Sequence, residues 1–516
     1  MFPLRRTPAL CVGAITLALI SQLLWAGPAG KDRPNILFLM ADQYRADCLG
    51  ADGNNVIHTP NLDRLAAEGA RFRCAYTSTP SCTPARSGIL TGLSPWHHGM
   101  LGYGQVAAKY KHELPAMLRD AGYYTLGIGK MHYYPQRNLH GFHMTILDES
   151  GRAETPEFRS DYLSWFYSVA PTLNPDATGI GRNDYRGKAY ALPEQLHPTR
   201  WTADVAVSFL KNYHSSEPFL LKVSFVRPHS PYDPPQRFMK MYENADVPPA
   251  AIGDWAARYA ADTNPSNYSS WHGDFGQDQV RKSRRAYYAS VSFVDEQVGR
   301  ILKALEDRGW LDNTLILFTA DHGDMVGDHY LWRKTYAFEA SARIPMLIRW
   351  PKSMTAPRGQ VLTQPVELRD LLPTFMDAAG VAFDPNEFDG RSMLELVRGR
   401  TEDWRPWIDL EHSQCYANAG YWNALTDGRM KYIHYASDGR DLLFDLQKDP
   451  SELHDLAADP QHAEALRTWR QRLTQHLSER GEPFVKDGQL VERRPNMLYS
   501  PHYPQATSEP ATKPDR

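Results

Sequence analysis

The chain has 516 residues, enough for two to four domains or for one large α/β domain with a smaller companion. Hydrophobic residues make up 42% and charged residues 23%, which is ordinary for a globular protein and excludes a disordered one. The 57 Lys and Arg against 60 Asp and Glu give a formal net charge of -3, which argues against a nucleic-acid binder because that class normally carries a basic excess.

The first 30 residues differ from the rest of the chain. Two arginines are followed by an almost uncharged apolar run at residues 9–25 and then by small residues. This is the layout of a secretory signal peptide, with cleavage expected after Ala26 or Ala29, and an uncleaved N-terminal anchor is the alternative. No later apolar run approaches the roughly 20 residues that a membrane helix needs. We therefore expect a secreted or periplasmic protein without stable membrane insertion once the signal is cleaved.

Short apolar runs alternate along the chain with segments of helical spacing. The predicted strands are residues 35–40, 123–128, 218–225, 315–319 and 345–350. The predicted helices cover about residues 59–69, 114–121, 284–307 and 368–378. Runs this short and this apolar are typical of strands that are buried on both faces of a parallel sheet. The alternation predicts an α/β fold with a large, mostly parallel sheet sandwiched by helices.

The pattern changes after about residue 385. Two strands of a small antiparallel sheet and a following helix are predicted at residues 431–435, 442–446 and about 462–479. We divide the chain into a signal peptide (1–30), a large domain (31–385), a C-terminal subdomain with a short antiparallel sheet and a helix (386–485), and an extended tail (486–516). Residues 154–198 show no strong periodicity and are expected to form a long ordered excursion at the rim of the large domain.

Ionisable or metal-ligating side chains follow four of the predicted strands. In open α/β sheets, ligands bind beyond the carboxyl ends of the strands. The side chains at these positions are Asp42, Gln43, Lys130, His132, His229, Asp321 and His322. An acidic residue after one strand is ordinarily a turn or helix-cap residue, but four such strand ends together predict a functional site.

A further predicted helix begins at Cys82. Pro84 suits the first turn of a helix, and the N-terminus of the helix favours an anion, so a thiolate at Cys82 with Arg86 on the same side would be activated. The alternative is a buried structural cysteine. The remaining cysteines after the signal peptide are Cys48, Cys74 and Cys415. If Cys82 has another role, these three can form at most one disulfide.

Together these motifs resemble the type I, formylglycine-dependent sulfatases of the alkaline-phosphatase-like superfamily. Residues Cys82 to Arg86 match the C-x-P-x-R signature of that family, which is a weak signal by itself. The other similar segments, in the family's order, are Arg33–Asp42, Thr59–Asp63, Gly129–His132, Arg227–Pro231, Thr319–Lys334 and Tyr432–Pro450. The resemblance spans about residues 33–485, and the combination of motifs is highly specific.

The resemblance implies a secreted sulfatase, a sulfuric ester hydrolase that acts on sulfated carbohydrate. A formylglycine-generating maturation enzyme would oxidise Cys82 to 3-oxoalanine (formylglycine), and the hydrate of this aldehyde would be the nucleophile. The large domain would then be catalytic. The resemblance also implies one divalent cation, with calcium as the expected ion, held by Asp42, Gln43, Asp321, His322 and residue 82.

The resemblance also assigns catalytic roles. Arg86 and Lys130 would stabilise the hydrate. His132 would be the base that later breaks the sulfated hemiacetal and releases sulfate. His229 and Lys334 would contact the sulfate and help the leaving oxygen to depart. These residue types suit the reaction, because attack on a sulfate ester places negative charge on several oxygens and cations must surround the sulfur.

Two positions depart from the common family pattern. Many members carry Asp where this chain has Gln43, and His322 is a softer ligand than the oxygen donors that calcium prefers. Similar Asp/Gln/Asp/His sets are found in some sulfatase and phosphonate monoester hydrolase branches. The identity of the ion is therefore open, and one alternative function is the hydrolysis of phosphonate or phosphate diesters on the same scaffold. The predicted signal peptide disfavours this alternative, since the phosphonate enzymes are typically cytoplasmic.

A second alternative is a non-catalytic glycan-binding protein that leaves Cys82 unmodified. Such a protein would be expected to have lost some of the catalytic side chains, and all of them are present. Aromatic residues, at 11%, agree with a carbohydrate ligand, although they mostly build cores. Trp332, Arg333 and His412 lie where they could line a sugar-binding pocket, with a structural role as the alternative for each.

Overall fold

The computed structural model describes residues 33–261, 267–413, 416, 420–493 and 497–504. The predicted signal peptide and Cys415 lie outside the described residues. The strands are β1 Asn35–Asp42, β2 Ala70–Phe72, β3 Ala75–Tyr76, β4 Tyr124–Gly129, β5 Met144–Leu147, β6 Phe219–Pro228, β7 Thr314–Ala320, β8 Met346–Arg349, β9 Gln360–Leu362, β10 Val366–Glu367, β11 Ile408–His412, β12 Trp422–Thr426, β13 Met430–Tyr435, β14 Arg440–Asp445, β15 Val485–Lys486 and β16 Gln489–Leu490. The α-helices are α1 Pro60–Ala67, α2 Cys82–Thr91, α3 Pro95–His98, α4 Leu114–Asp120, α5 Asp161–Val169, α6 Pro198–Asn212, α7 Gln236–Tyr242, α8 Gln277–Asp307, α9 Glu339–Ala342, α10 Leu371–Ala378, α11 Met393–Val397 and α12 Ala463–Leu477.

The central sheet has the strand order β5-β4-β6-β1-β7-β8-β2-β9. Within the described part of this sheet, β8 is the one strand that runs antiparallel to both of its neighbours. Every residue of β1, β6 and β7 is buried, and because successive side chains point to opposite faces, both faces of the sheet are covered. The predicted sheet, mostly parallel and covered by helices on both sides, is confirmed.

The helices that cover the sheet fall into two groups. Helix α8 packs against α1, α6 and α7, whereas α2 packs against α4 and α10. The ring of Phe38 in β1 packs on Phe375 of α10, with 5.4 Å between ring centroids. Helix α8 starts at Gln277, earlier than the predicted residue 284, because its polar first turns give little apolar signal.

Beyond the central sheet, the strands β11-β12-β13-β14 form an antiparallel sheet. On one face, Ile433 and Phe444 pack in a common core with Leu331 and Phe338, which lie in the segment that follows β7. On the other face, residues of β13 and β14 pack with Trp469 of α12. The predicted antiparallel sheet and helix are confirmed, and the sheet shares a core with the segment that follows β7.

Two segments contain more structure than the sequence predicts. The excursion at residues 154–198 contains helix α5, of which Tyr162 and Phe166 pack in a small aromatic cluster with Trp201. With so few buried positions, α5 has no apolar repeat long enough to detect. The predicted extended tail contains the β15-β16 hairpin, and its residues 497–504 contact the loop after α3.

No helix in the described part of the chain combines the length and the apolar character that crossing a membrane requires.

Candidate active site

The carboxyl ends of four neighbouring strands form the floor of the site. β4, β6, β1 and β7 are consecutive in the sheet, so the residues that end or follow them lie side by side. Asp42 is the last residue of β1, whereas Lys130, His229 and Asp321 follow β4, β6 and β7. All four side chains are buried. The structure thus brings together the strand-end residues that the sequence singled out.

Tight backbone turns direct these residues into the site. At the end of β4, Gly129 has φ of +90°, and a Cβ atom there would lie 2.1 Å from the carbonyl oxygen of Ser224. Only glycine fits this turn into Lys130. Gln43 and His132 have φ of 66° and 59°, in the left-handed region that non-glycine residues seldom occupy. Such conformations cluster at functional sites, where the surrounding structure holds them.

Cys82, the first residue of α2, lies above this floor. Its Sγ is 3.2 Å from Nε2 of His322 and 3.5 Å from Nζ of Lys130. Burial raises the pKa of the thiol, and so does Asp42. The positive charges of Lys130, Lys334 and His322 lower this pKa more, to about 6. The pocket therefore favours negative charge at residue 82.

Two buried carboxylates and two cations surround Cys82. Nε of Arg86 donates to Oδ2 of Asp321 at 2.9 Å, and its Nη2 donates to Oδ2 of Asp42 at 3.2 Å. Nζ of Lys130 also contacts Oδ2 of Asp42. Burial raises the pKa of Asp42, but the neighbouring charges, Lys130 foremost, lower it well below the usual range. Asp42 is thus held as a carboxylate, and Arg86 binds both acids from one side.

The other oxygens of the two carboxylates turn toward a common centre. The Oδ1 atoms of Asp42 and Asp321 lie 3.9 and 3.7 Å from Nε2 of His322. Nδ1 of His322 is 2.9 Å from the carbonyl oxygen of Gly323 and donates to it, so Nε2 is the nitrogen that faces the two carboxylates. Ligand atoms of these three residues and of Cys82 lie within 4.8 Å of one another. This donor set fits a divalent cation that accepts oxygen and nitrogen ligands.

Gln43 lies at the edge of this group. Its Oε1 accepts a hydrogen bond from Nζ of Lys334 at 2.8 Å, and its Nε2 donates to the carboxylate of Asp324. Asp324 also accepts a bond of 2.5 Å from the Tyr232 hydroxyl, so the amide orientation of Gln43 is fixed. A carbonyl oxygen has two lone pairs, and a metal-ligating role for Gln43 remains a prediction.

His229 and Lys334 form a pair on the far side of Gln43. Nδ1 of His229 is 2.8 Å from the carbonyl oxygen of Ser230, so Nε2 is the acceptor for Nζ of Lys334, also at 2.8 Å. Burial and the Lys334 charge lower the pKa of His229. Trp422 of β12 donates to the carbonyl oxygen of Thr335 at 3.0 Å, so the C-terminal sheet holds the loop that carries Lys334.

His132 is held by contacts that the sequence did not reveal. The carboxylate of Glu149 accepts the backbone N–H groups of Met131 and His132, each at 2.9 Å. Nε2 of His132 is 3.3 Å from the Tyr103 hydroxyl, whereas Nδ1 is buried and has no hydrogen-bond partner among the described residues. Burial lowers the pKa of His132, and the charge of Lys130 lowers it further. His132 is therefore a neutral base with one nitrogen available.

The C-terminal segment 497–504 supports the loop that carries Tyr103. The Tyr499 hydroxyl accepts the backbone N–H of Gln105 at 2.8 Å, and the Tyr503 hydroxyl donates to the carbonyl oxygen of the same residue at 2.8 Å. Nearly 400 residues separate these partners in the sequence. No local pattern could have indicated the contact.

Two of the three candidate rim residues have structural roles. Trp332 is buried and packs on Tyr185, with 4.7 Å between ring centroids. His412 is buried in β11, and its Nε2 lies 3.1 Å from the hydroxyl of Ser81, the residue before Cys82. Arg333 lies over the ring of Tyr416, 5.1 Å from its centroid.

Two family models match the chain. Residues 34–381 match the model for sulfatases, and residues 327–479 match the model for the C-terminal region of N-sulphoglucosamine sulphohydrolase. The two matches together cover the central sheet, the site and the C-terminal sheet.

Characterised proteins match over almost the same length. An arylsulfatase of Clostridium perfringens is 38% identical over 90% of this chain and 98% of its own. A choline-sulfatase of Rhizobium meliloti is 34% identical over 83% of each chain, and an N-acetylglucosamine-6-O-sulfatase of Bacteroides thetaiotaomicron is 27% identical over 93% and 94%. Among solved structures, a phosphonate monoester hydrolase of Agrobacterium radiobacter superposes with a TM-score of 0.72 at 27% identity, covering 90% of this chain and all of the other.

Proposed function

This chain belongs to the sulfatase family, a family of sulfate ester hydrolases, and from that premise we propose that it cleaves O-sulfated carbohydrate with formylglycine at residue 82 as the nucleophile. The observation that carries the proposal is the position of Cys82. It starts a helix, is buried, and has Lys130 and His322 within 3.5 Å of its sulfur. The N-acetylglucosamine-6-O-sulfatase relative supports a sugar substrate, and the choline-sulfatase relative shows that other alcohols are accepted within the family.

The side chains around residue 82 suit sulfate transfer. Hydrated formylglycine supplies two hydroxyls on one carbon, one to attack sulfur and one to allow release of sulfate by C–O cleavage. Lys130 and Lys334 supply positive charge on two sides of the position that the sulfate would take. Arg86 holds the two carboxylates in place beneath it. Because the site is buried, these charges act in a medium of low polarity, where they stabilise a developing anion more than in water.

We assign the two histidines to different steps. His132, neutral and with Nδ1 unpartnered among the described residues, would take the proton from the second hydroxyl when sulfate is released. His229 accepts a hydrogen bond from Lys334, so this pair would pass a proton to the leaving oxygen. A sugar alkoxide is a poor leaving group, so the first cleavage depends on that proton.

A divalent cation fits the site and would be held by Asp42, Asp321, His322 and residue 82, with Gln43 as a further ligand. When bound, it would neutralise charge on the sulfate oxygens as a Lewis acid. Calcium is the expected ion, and the nitrogen ligand makes manganese or magnesium an acceptable replacement.

Exhaustive chelation should lower sulfatase activity by roughly 100- to 1,000-fold, the size expected when several kcal/mol of charge stabilisation are lost. Added calcium should restore activity and raise the melting temperature, because an ion that binds only the folded state stabilises it. Activity, elemental analysis and thermal unfolding would be measured in parallel. The isosteric variant Asp321→Asn, which removes one ligand charge, should not be restored. Full activity in protein shown to be metal-free would overturn the assignment.

Export from the cytoplasm is part of the proposal. It is supported by the signal-like layout of residues 1–30, which lie outside the described part of the chain.

A phosphonate or phosphate diester hydrolase is the second candidate, because a phosphonate monoester hydrolase shares the fold over 90% of this chain. Side-by-side rates on nitrophenyl sulfate and on a nitrophenyl phosphonate monoester decide between the two. We expect kcat/KM for the sulfate to be at least about tenfold higher, corresponding to some 1.4 kcal/mol of transition-state preference. A faster reaction of the phosphonate would overturn the proposed function. If the sulfate reacts faster, rates on a set of defined sulfated monosaccharides would identify the sugar.

A further inference from the structure

A segment to which the proposed chemistry assigns no role is attached to the turn that carries His132. Residues 149–154 begin at Glu149, whose carboxylate accepts the backbone N–H groups of Met131 and His132. The backbone N–H of Arg152 donates to the carbonyl oxygen of Glu149 at 3.0 Å. The segment is therefore attached directly to the turn that carries the catalytic base.

One buried side chain holds the backbone directly after Arg152. Nε2 of Gln136 donates to the carbonyl oxygen of Arg152 at 3.1 Å, and Oε1 of Gln136 accepts the N–H of Glu154 at 2.9 Å. Gln136 is 5% exposed. This clamp fixes the position from which the Arg152 side chain extends.

The guanidinium of Arg152 has no acidic partner within ion-pair distance among the described residues. Its Nη1 is buried and has no hydrogen-bond partner there. The residue as a whole is partly exposed, but a buried donor without a partner is costly. A ligand that supplies an acceptor to Nη1 would remove this cost.

Arg152 lies near the catalytic histidines but outside the ring of charge around Cys82. Its charge lowers the pKa values of both His132 and His229. The charges that chiefly set the pKa of Cys82 belong to other residues. The position of the transferred sulfate is therefore already supplied with cations, and the charge of Arg152 acts on the two histidines beside it.

A second arginine, Arg182, lies within electrostatic range of the first. Burial lowers the pKa of Arg182, and the charge of Arg152 lowers it further. The pKa of Tyr103, whose hydroxyl contacts His132, is affected by Arg152 as well. Glu154 is an acidic group of this segment, but burial and Glu149 raise its pKa to about 7, so it neutralises the positive charge only in part. An anion that binds near both arginines would relieve their mutual repulsion.

We propose that Arg152, supported by the charge of Arg182, binds a second anionic group of the substrate, a carboxylate or a further sulfate carried by the same sugar as the ester that is cleaved. This inference rests on the proposed function and narrows it to sugars with at least two negative charges. Arginine suits either group, because its planar fork donates two parallel hydrogen bonds to an oxyanion. A cationic alcohol such as choline would be repelled from the same position.

The test compares substrates that share one sulfate ester and differ in the second charge. The first pair is N-acetylglucosamine 6-sulfate and glucosamine 2-N,6-O-disulfate, and the second is glucose and glucuronate sulfated at the same hydroxyl. Each of the four sugars, and choline sulfate, is measured as an inhibitor of nitrophenyl sulfate hydrolysis and as a substrate. The proteins are the wild type, Arg152→Gln and the control Arg159→Gln, an exposed arginine that stacks on Tyr167.

We expect the wild type to bind the doubly charged member of at least one pair more tightly, and Arg152→Gln to weaken that binding by roughly 10- to 100-fold, the range for a charge-assisted hydrogen bond. Binding of the singly charged member and kcat/KM for nitrophenyl sulfate should change less than about threefold. Choline sulfate should be a poor ligand of the wild type and improve in the variant. If Arg152→Gln weakens binding within the first pair, the second anion is a sulfate, and if it does so within the second pair, the anion is a carboxylate. Arg159→Gln should behave as the wild type.

Three results would overturn the inference. Equal losses on nitrophenyl sulfate and on all sugars would place Arg152 on the transferred sulfate. Equal binding within both pairs by the wild type would mean that no second anion is recognised. Unchanged binding in Arg152→Gln would mean that another residue binds it. A wild type that does not hydrolyse nitrophenyl sulfate or any sulfated sugar would instead overturn the proposed function, and this inference would fall with it.

Discussion

Cys82→Ala should lose sulfatase activity by at least about 10⁴-fold in kcat, as expected when a covalent nucleophile is removed, while the protein folds normally. The side chain is small and starts a helix whose other residues are also buried, so alanine leaves the packing almost unchanged. The cations around it remain, but nothing is left to attack sulfur. The loss of activity is measured as turnover of nitrophenyl sulfate, and near-UV circular dichroism shows whether the variant is folded.

A second cysteine provides the control. Cys74 is a free thiol that is only half-buried, and Cys74→Ala should keep wild-type activity. Both cysteines fall in the tryptic peptide of residues 74–86, whose mass should be about 18 Da lower than that of the unmodified sequence if residue 82 has become formylglycine. Substantial activity in Cys82→Ala would refute the proposed nucleophile. An unmodified peptide from an inactive wild type would favour the non-catalytic alternative.

His132→Ala should slow hydrolysis of every sulfate ester by roughly 10²- to 10⁴-fold, the usual contribution of a positioned base, and should retain sulfate on the enzyme. The retained group would appear as roughly +80 Da, the mass of SO₃, on the peptide that contains residue 82. Because the pKa of His132 lies below its usual range, the base stays neutral as the pH falls. Wild-type activity should therefore persist to a more acidic pH than a histidine of ordinary pKa would allow.

His229→Ala should respond differently to the leaving group. A sugar alkoxide needs a proton as it departs, whereas a nitrophenolate hardly does. With the partner of Lys334 removed, the loss on a sulfated sugar should exceed the loss on nitrophenyl sulfate by roughly 100-fold, a typical contribution of a general acid. The two histidine variants serve as controls for each other. Equal losses on both substrates for His229→Ala, with no adduct in His132→Ala, would mean that the two roles are assigned wrongly.

The main features of the fold follow from local patterns. The apolar runs that became β1, β4, β6 and β7 are recognisable because a strand buried on both faces must be apolar throughout. Strands β11 and β12 were not predicted, although β13 and β14 were. The pairing of β11 and β12 was not detectable from local sequence, since β11 carries charged residues that ion pairs neutralise only in the folded protein, such as Glu411 with Arg480.

The position of the site was also predictable, because the carboxyl ends of parallel strands meet at one edge of the sheet. The supporting contacts were not. Glu149, Tyr103 and Asp324 stand in unremarkable sequence, and each acquires its role from a partner that is distant in the chain or brought near by a turn. A side chain that acts by holding another residue leaves no periodic pattern.

The class of the sheet, the residues at the strand ends and the helix that begins at Cys82 are encoded locally, because each depends on apolar spacing, turn geometry or a short motif. How these residues are held depends on contacts that form only in the folded protein. The C-terminal sheet contacts Ser81 through His412 and the Lys334 loop through Trp422, and the segment 497–504 supports the loop of Tyr103. These contacts join segments tens to hundreds of residues apart, and their geometry exists only once the whole chain has packed.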